Sequence, residues 1–178
     1  MTDPVYIQGA TVSGVIAAVD RVLTVAKELL DQRGRPDCTG GYFTWTFDDG
    51  APIIAGLLWG FMPLDKALKR QEFALEKATR LALHHMHLTS YRSRNPKATV
   101  VIDGEEVLRP RWGGAIRAGK YLLSFSGFPE KWDEAAMFAL AIKLGWINQE
   151  TVFRRISAKR NPHLRPLLEA CIWVEYKD

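Results

Sequence analysis

The sequence predicts an α+β fold: an antiparallel sheet of about five strands, flanked by helices. Three observations carry this. Amphipathic stretches with apolar residues three and four apart alternate with short β-branched and aromatic runs. Those runs are joined by tight-turn signals at Asp48-Asp49-Gly50, Asp103-Gly104 and Ala118-Gly119. The order is helix, two strands, helix, about three strands, helix, without the regular strand–helix alternation of a parallel sheet.

Each element has its own justification. Residues 12–33 place Val15, Val19, Val22, Ala26 and Leu29 on one helical stripe, with Ile16, Leu23 and Leu30 beside them. Thr11 or Ser13 caps this helix and Gly34 closes it. The aromatic run YFTWTF, residues 42–47, suits a strand, and IIAGLLWGF, residues 53–61, returns from the Asp-Gly turn. Pro63 opens a second helix over 64–87, with Leu64, Leu68, Leu75, Ala78 and Ala82 on its apolar face. Asn95-Pro96 marks a loop. ATVVI, residues 98–102, reads as a strand that turns at Asp103-Gly104 and returns over 105–109. Gly113-Gly114 breaks the chain before a hairpin of 115–118 and 120–126. A third helix over 130–144 aligns Trp132, Ala136, Ala139 and Leu140, and Gly145 stops it.

This body, residues 1–147, is followed by a C-terminal helical extension, 148–178. Asn148 caps a short helix over 149–158, Pro162 and Pro166 interrupt it, and the run CIWVEY needs a surface from the same domain or a partner subunit. Trp45, Trp59 and Trp132 are expected in the core, with Trp112 and Trp173 at an interface.

Composition narrows the class. Hydrophobic residues make up 47% and charged residues 25% of 178 residues, as in an ordinary globular domain. Cys38 and Cys171 have no CxxC partner, so neither a zinc site nor a disulfide framework is signalled. No apolar run reaches the roughly 18 residues of a membrane span, and the start MTDPVYIQGA lacks the pattern of a secretory leader. The expectation is a cytoplasmic protein with no membrane partner. Twenty-four Lys and Arg against 20 acids give a net charge of +4. Two acid-free basic stretches stand out, residues 80–97 and 151–167. Each attracts anions, though neither carries a recognisable nucleic-acid motif, which sets nucleic acid aside as the expected partner.

The stretch GGAIRAGKYLLSFSGFPEKWDEAAMFALA, from Gly113, resembles the end of the GlcG/HbpS-like domain, often called the haem-degrading domain family. The matching positions are Gly113, Gly114, Arg117, Ser126, Gly127, Asp133 and Glu134. Upstream, residues 77–91 end in Thr89-Ser90-Tyr91 and are similar to an uncharacterised branch of that family. The resemblance covers about residues 12–145 and leaves the extension outside; Ala115-Ile116 stands where a proline is common. It implies a profilin-like fold and homo-oligomers, dimers at least. It makes haem a candidate cofactor, since some members bind haem.

Candidate site residues follow from residue chemistry. Lys77, Arg80 and Arg117 can bind carboxylates of a small organic acid or of haem propionates. The turn Ser126-Gly127 precedes a helix N-terminus, whose backbone N–H groups attract anions, and Gly127 lets a ligand approach the backbone; the resemblance adds Gly113 and Gly114 to the expected ligand-binding residues. His84, His85 and His87 are the haem or metal candidates, with complementing the dipole at a helix end as their other role. No P-loop, Rossmann, HExxH or G-x-S-x-G pattern names a reaction. Two functions are therefore expected: a small-ligand-binding protein taking haem or an organic acid near the Gly-Gly hairpin and Ser-Gly turn, or a non-enzymatic oligomeric interaction module.

Overall fold

The structure, a computed structural model, describes residues 6–7 and 10–171. Two short strands, β1 (Tyr6–Ile7) and β2 (Ala10–Thr11), pair antiparallel ahead of helix α1 (Val12–Asp31). The Thr11 hydroxyl caps α1 by accepting from the Gly14 N–H at 2.9 Å. Gly34, at φ 75°, ends it in the left-handed conformation that glycine adopts without strain.

The main sheet has four strands: β3 (Gly40–Phe47), β4 (Pro52–Gly60), β7 (Ala115–Ala118) and β8 (Tyr121–Ser126). They run antiparallel in the order β4-β3-β8-β7. The hairpin β5 (Thr99–Ile102) and β6 (Glu105–Leu108) forms a ladder of its own, so the expected sheet of about five strands is four plus separate two-stranded ladders. Every residue of β6 is exposed, which leaves this hairpin no face to add to the sheet.

Strand alternation gives the sheet two unlike faces. Phe43, Trp45, Tyr121, Leu123 and Phe125 enter the main core with α1 and with α3 (Glu130–Lys143). The other face meets α2 (Leu64–Ala82), where Leu81 and Ala82 pack on Ala115 and Leu122. That face is small and polar: the hydroxyls of Thr44, Thr46 and Ser124 are buried and have no hydrogen-bond partner among the described residues. Small residues Ala67, Ala74 and Ala78 form the buried stripe of α2.

This packing corrects the reading of α2. Leu64 and Leu68, expected on the buried face, are 75% and 56% exposed, while Lys77 and Arg80 are buried. The helix also ends at Ala82 rather than 87: Leu83 N–H makes the last α-type bond, to the Thr79 carbonyl, and the His84 and His87 N–H groups then turn to carbonyls three residues back, Leu81 and His84. The chain then leads to a 3₁₀ turn at Ser90–Ser93, with Thr89 bridging to Ile116.

The extension contains α4 (Gln149–Arg155) and α5 (Leu164–Ala170). Val152, Ile156, Leu164, Leu167 and Cys171 join the main core, so the described part of the extension packs on its own domain. Pro166 does not interrupt α5, because it stands in the first turn, where a missing N–H costs no helical bond. Trp45 and Trp132 are buried as expected; Trp59 is half-buried and donates to Asp20 at 3.0 Å. Trp173 and the run after Cys171 lie outside the described residues. No helix among the described residues is long and apolar enough to cross a membrane.

Candidate functional site

One buried ion pair organises the junction between β8 and α3. The chain leaves β8 at Ser126 and turns through Gly127-Phe128-Pro129 into α3. Asp133, in the first turn of α3, reaches back to this turn. Its Oδ1 accepts the N–H of Phe128 at 2.9 Å and of Gly127 at 3.3 Å. Its Oδ2 accepts from Lys77 Nζ at 2.8 Å, and Lys77 also donates to the Phe125 carbonyl at 2.9 Å. Both side chains are 2% exposed, so their desolvation is offset only by this close geometry. Burial pushes the Asp133 carboxyl up, and the Lys77 ammonium pulls against it.

The glycines belong to the same construction. A Cβ on Gly114, at φ 124°, would stand 2.7 Å from Asp133 Cβ and 3.0 Å from Lys77 Nζ. A Cβ on Gly127 would stand 2.6 Å from the Gly40 carbonyl oxygen, and one on Gly113 2.8 Å from the Tyr91 ring. Close approach of protein to protein therefore requires these glycines. The N–H groups of Gly127 and Phe128, expected to face an anion, are taken by the Asp133 carboxylate of the chain itself.

Arg80 is likewise engaged internally. It donates to the Ser90 carbonyl at 2.8 Å, to Ser93 Oγ at 2.7 Å and to the Trp112 carbonyl, and it pairs with Glu76. Arg117 donates to the Leu81 carbonyl at 2.8 Å and approaches Asp48 at 3.9 Å. The histidines are elsewhere. His84 and His85 are exposed beyond the end of α2, and His84 stacks on His87 with ring centroids 5.0 Å apart. Burial, then His84 and Arg92, hold the His87 imidazole below its usual range. Among the described residues no group of three or more His, Cys, Asp or Glu is placed to hold a metal ion.

Beside the ion pair opens a cleft of about 410 Å³, a size typical of small-molecule sites. Trp112, Phe128 and Pro129 supply apolar walls, and Lys77, Ser126, Gly127 and Asp133 form part of its lining. Its other charges are also paired. Arg35 holds Asp37 through two hydrogen bonds, at 3.0 and 3.2 Å. Glu130 pairs with Arg94 and accepts from the Gly113 N–H at 3.0 Å. Arg70, half-buried on α2, has no ion-pair or hydrogen-bond partner among the described residues. It also lines an adjoining basin of about 430 Å³ with Lys66 and Lys69. Cys38 lines the cleft with its thiol pushed up by burial and then by Asp37, which disfavours the reactive thiolate.

Of the expected site residues, Lys77, Ser126 and Gly127 meet at this cleft; Arg80, Gly113, Gly114, Arg117 and the three histidines do not line it. Arg70 and Arg35 were not singled out from the sequence, and Trp112, expected at an interface, lines the cleft. Asp133 and Glu134, matched in the resemblance but left out of the expected site residues, are adjacent acids in a helix whose residues 132–141 are all buried, so both need partners. Glu134 accepts from Arg160 at 2.6 Å and from Asn161 at 3.0 Å. No protein-family model, curated protein or solved structure matches the chain.

Proposed function

We propose that the protein, on a profilin-like fold, binds a small organic anion in the cleft beside the Ser126-Gly127 turn. The observation that carries this reading is the charge balance of the cleft. Lys77, Asp133, Arg35, Asp37 and Glu130 are matched by protein partners, and Arg70 alone among its charged residues is not, among the described residues. Asp133 lies near enough to feel the Arg70 charge, but it is already bonded to Lys77 and to the turn, so the half-buried guanidinium keeps its hydrogen-bonding fork free for a carboxylate, which it can hold through two parallel bonds. Trp112 and Phe128 offer the apolar surface for a short carbon skeleton. The resemblance to the GlcG/HbpS-like family supports the same location. Calorimetric titration with acetate, succinate and citrate tests it. Saturable binding of at least one acid is expected, weakened about tenfold in Arg70→Gln and little changed in Arg117→Gln. Equal binding by Arg70→Gln, or none by the native chain, would overturn it.

A second reading, an oligomeric interaction module, is supported by exposed apolar residues. Leu83 and Ile102 are 75% and 42% exposed and line a groove of about 530 Å³ with Phe73, Leu75 and Val100. His84 lines the same groove, so haem, if bound, belongs there rather than in the cleft. Sedimentation velocity and a hemin titration of native and His84→Ala protein test these two occupants. A dimer that Leu83→Glu dissociates supports the module, and a Soret shift lost in His84→Ala supports haem. A monomer without a hemin response removes both.

A further inference from the structure

A second cationic site lies away from the cleft, where three segments of the chain bring four arginines together. Arg92 comes from the 3₁₀ turn, Arg154 and Arg155 from the last turn of α4, and Arg160 from the loop before α5. They line one pocket of about 470 Å³, and among the described residues no carboxylate lines it with them. Arg92, Arg154 and Arg155 are exposed and have no ion-pair or hydrogen-bond partner among the described residues.

Arg160 differs from the other three. Its Nη2 donates to Glu134 Oε2 at 2.6 Å and to Thr89 Oγ1 at 2.9 Å, and its guanidinium stacks over Tyr91 at 4.9 Å. These contacts fix it as a rigid side of the pocket, while its buried Nη1 has no acceptor among the described residues. Helix-dipole complementation explains cations at 154 and 155, at the end of α4. It does not explain why Arg92, from another segment, turns to the same space, where Glu134 and Thr89 hold Arg160. Glu134 offsets the charge of Arg160, but the three unpaired guanidiniums around the same concavity repel each other unless a multivalent anion joins them. Guanidinium forks match phosphate oxygens in pairs. Met86, Leu88 and Ile156 add an apolar wall beside the charges.

We infer that this pocket binds a small multivalent phosphate, a chain of phosphoanhydride groups such as inorganic tripolyphosphate or the triphosphate of a nucleotide. The site shares no residue with the organic-anion cleft. The two therefore fail independently.

The test is isothermal titration of the full chain with tripolyphosphate and with ATP, in the absence of divalent cations. Saturable binding of one ligand per chain is expected, weakened about tenfold or more in the double variant Arg154→Gln/Arg155→Gln and clearly in Arg92→Gln. Lys159→Gln, which removes a charge of the same segment outside the pocket, and Arg70→Gln are expected to bind within about twofold of native protein. Tighter binding of ATP identifies a nucleotide source and equal binding an inorganic one; both support the site. Absence of saturable binding overturns it, as does equal weakening by Lys159→Gln. Affinity for single-stranded oligonucleotides that exceeds both ligands and grows with strand length also overturns it, in favour of a nucleic-acid surface.

Discussion

The β8–α3 junction and the arginine pocket both draw the eye as anion sites, yet their charges do opposite work. At the junction, Lys77 is buried against Asp133 and Arg80 is tied to three backbone or hydroxyl oxygens and Glu76. The helix N-terminus there is closed by a carboxylate of the same chain. In the pocket, Arg92, Arg154 and Arg155 have no counter-charge lining it among the described residues. A basic residue is a ligand candidate only in proportion to what the fold leaves unpaired. By that measure the junction is scaffold, Arg70 is the reactive edge beside it, and the arginine pocket is the more exposed cationic site.

Several substitutions break this comparison or sharpen it. The largest effect is expected from Asp133→Ala, which strands the Lys77 ammonium in the interior and should cost about 3–5 kcal/mol in urea denaturation. The double change Lys77→Met/Asp133→Leu should recover much of that loss, since neither charge is then left alone. If Asp133→Ala were instead neutral in stability while abolishing acid binding, the pair would be a site rather than scaffold. Next comes Gly114→Ala. Its left-handed φ and the 2.7 Å approach to Asp133 Cβ predict a loss on the order of 1–3 kcal/mol, readable as a lower Tm.

A smaller effect is expected at His163. Its ring stacks on Trp132 with centroids 4.4 Å apart, and burial, then Arg33 and Lys131, hold its pKa down to about 4. The folded pKa lies below the unfolded value of about 6.5, so its neutral form favours the fold. That contribution is full above about pH 6.5 and is lost as pH falls through about 4. After solvent screening of this half-exposed ring, it amounts to roughly 1 kcal/mol. His163→Gln should flatten the pH dependence of stability over that window. The smallest effect on stability is expected from Arg154→Gln/Arg155→Gln, within about 0.5 kcal/mol, because these exposed cations form no ion pair among the described residues and complement only the dipole of a short helix.

Much of the fold was legible in local sequence. The turns at Asp48-Asp49-Gly50, Asp103-Gly104 and Ala118-Gly119 all stand between paired strands. The buried stripe of α1 follows its valines and leucines. The face of α2 was not legible, because Leu64 and Leu68 outweigh alanines on any apolar scale. Only the narrow Thr and Ser face of the sheet explains why alanines pack there. The site was half legible. Gly113, Gly114, Ser126 and Gly127 mark the junction, but their reason is Lys77–Asp133, a contact between residues 56 apart in sequence. Arg70 looks like any other cation of α2; its distinction is that Arg35, Lys77 and Arg94 form ion pairs and it forms none among the described residues.

The most direct test follows the arginine side chains themselves. Nε–Hε resonances, assigned with the variants above, are recorded during titration with succinate or citrate and then with tripolyphosphate. The Arg70 signal should move with the organic acid and those of Arg92, Arg154 and Arg155 with tripolyphosphate. Arg80 and Arg117, held inside by protein oxygens, should stay in place in both titrations. Movement of Arg80 together with the others, or a uniform drift of every arginine, would contradict the division between engaged and unpaired charge.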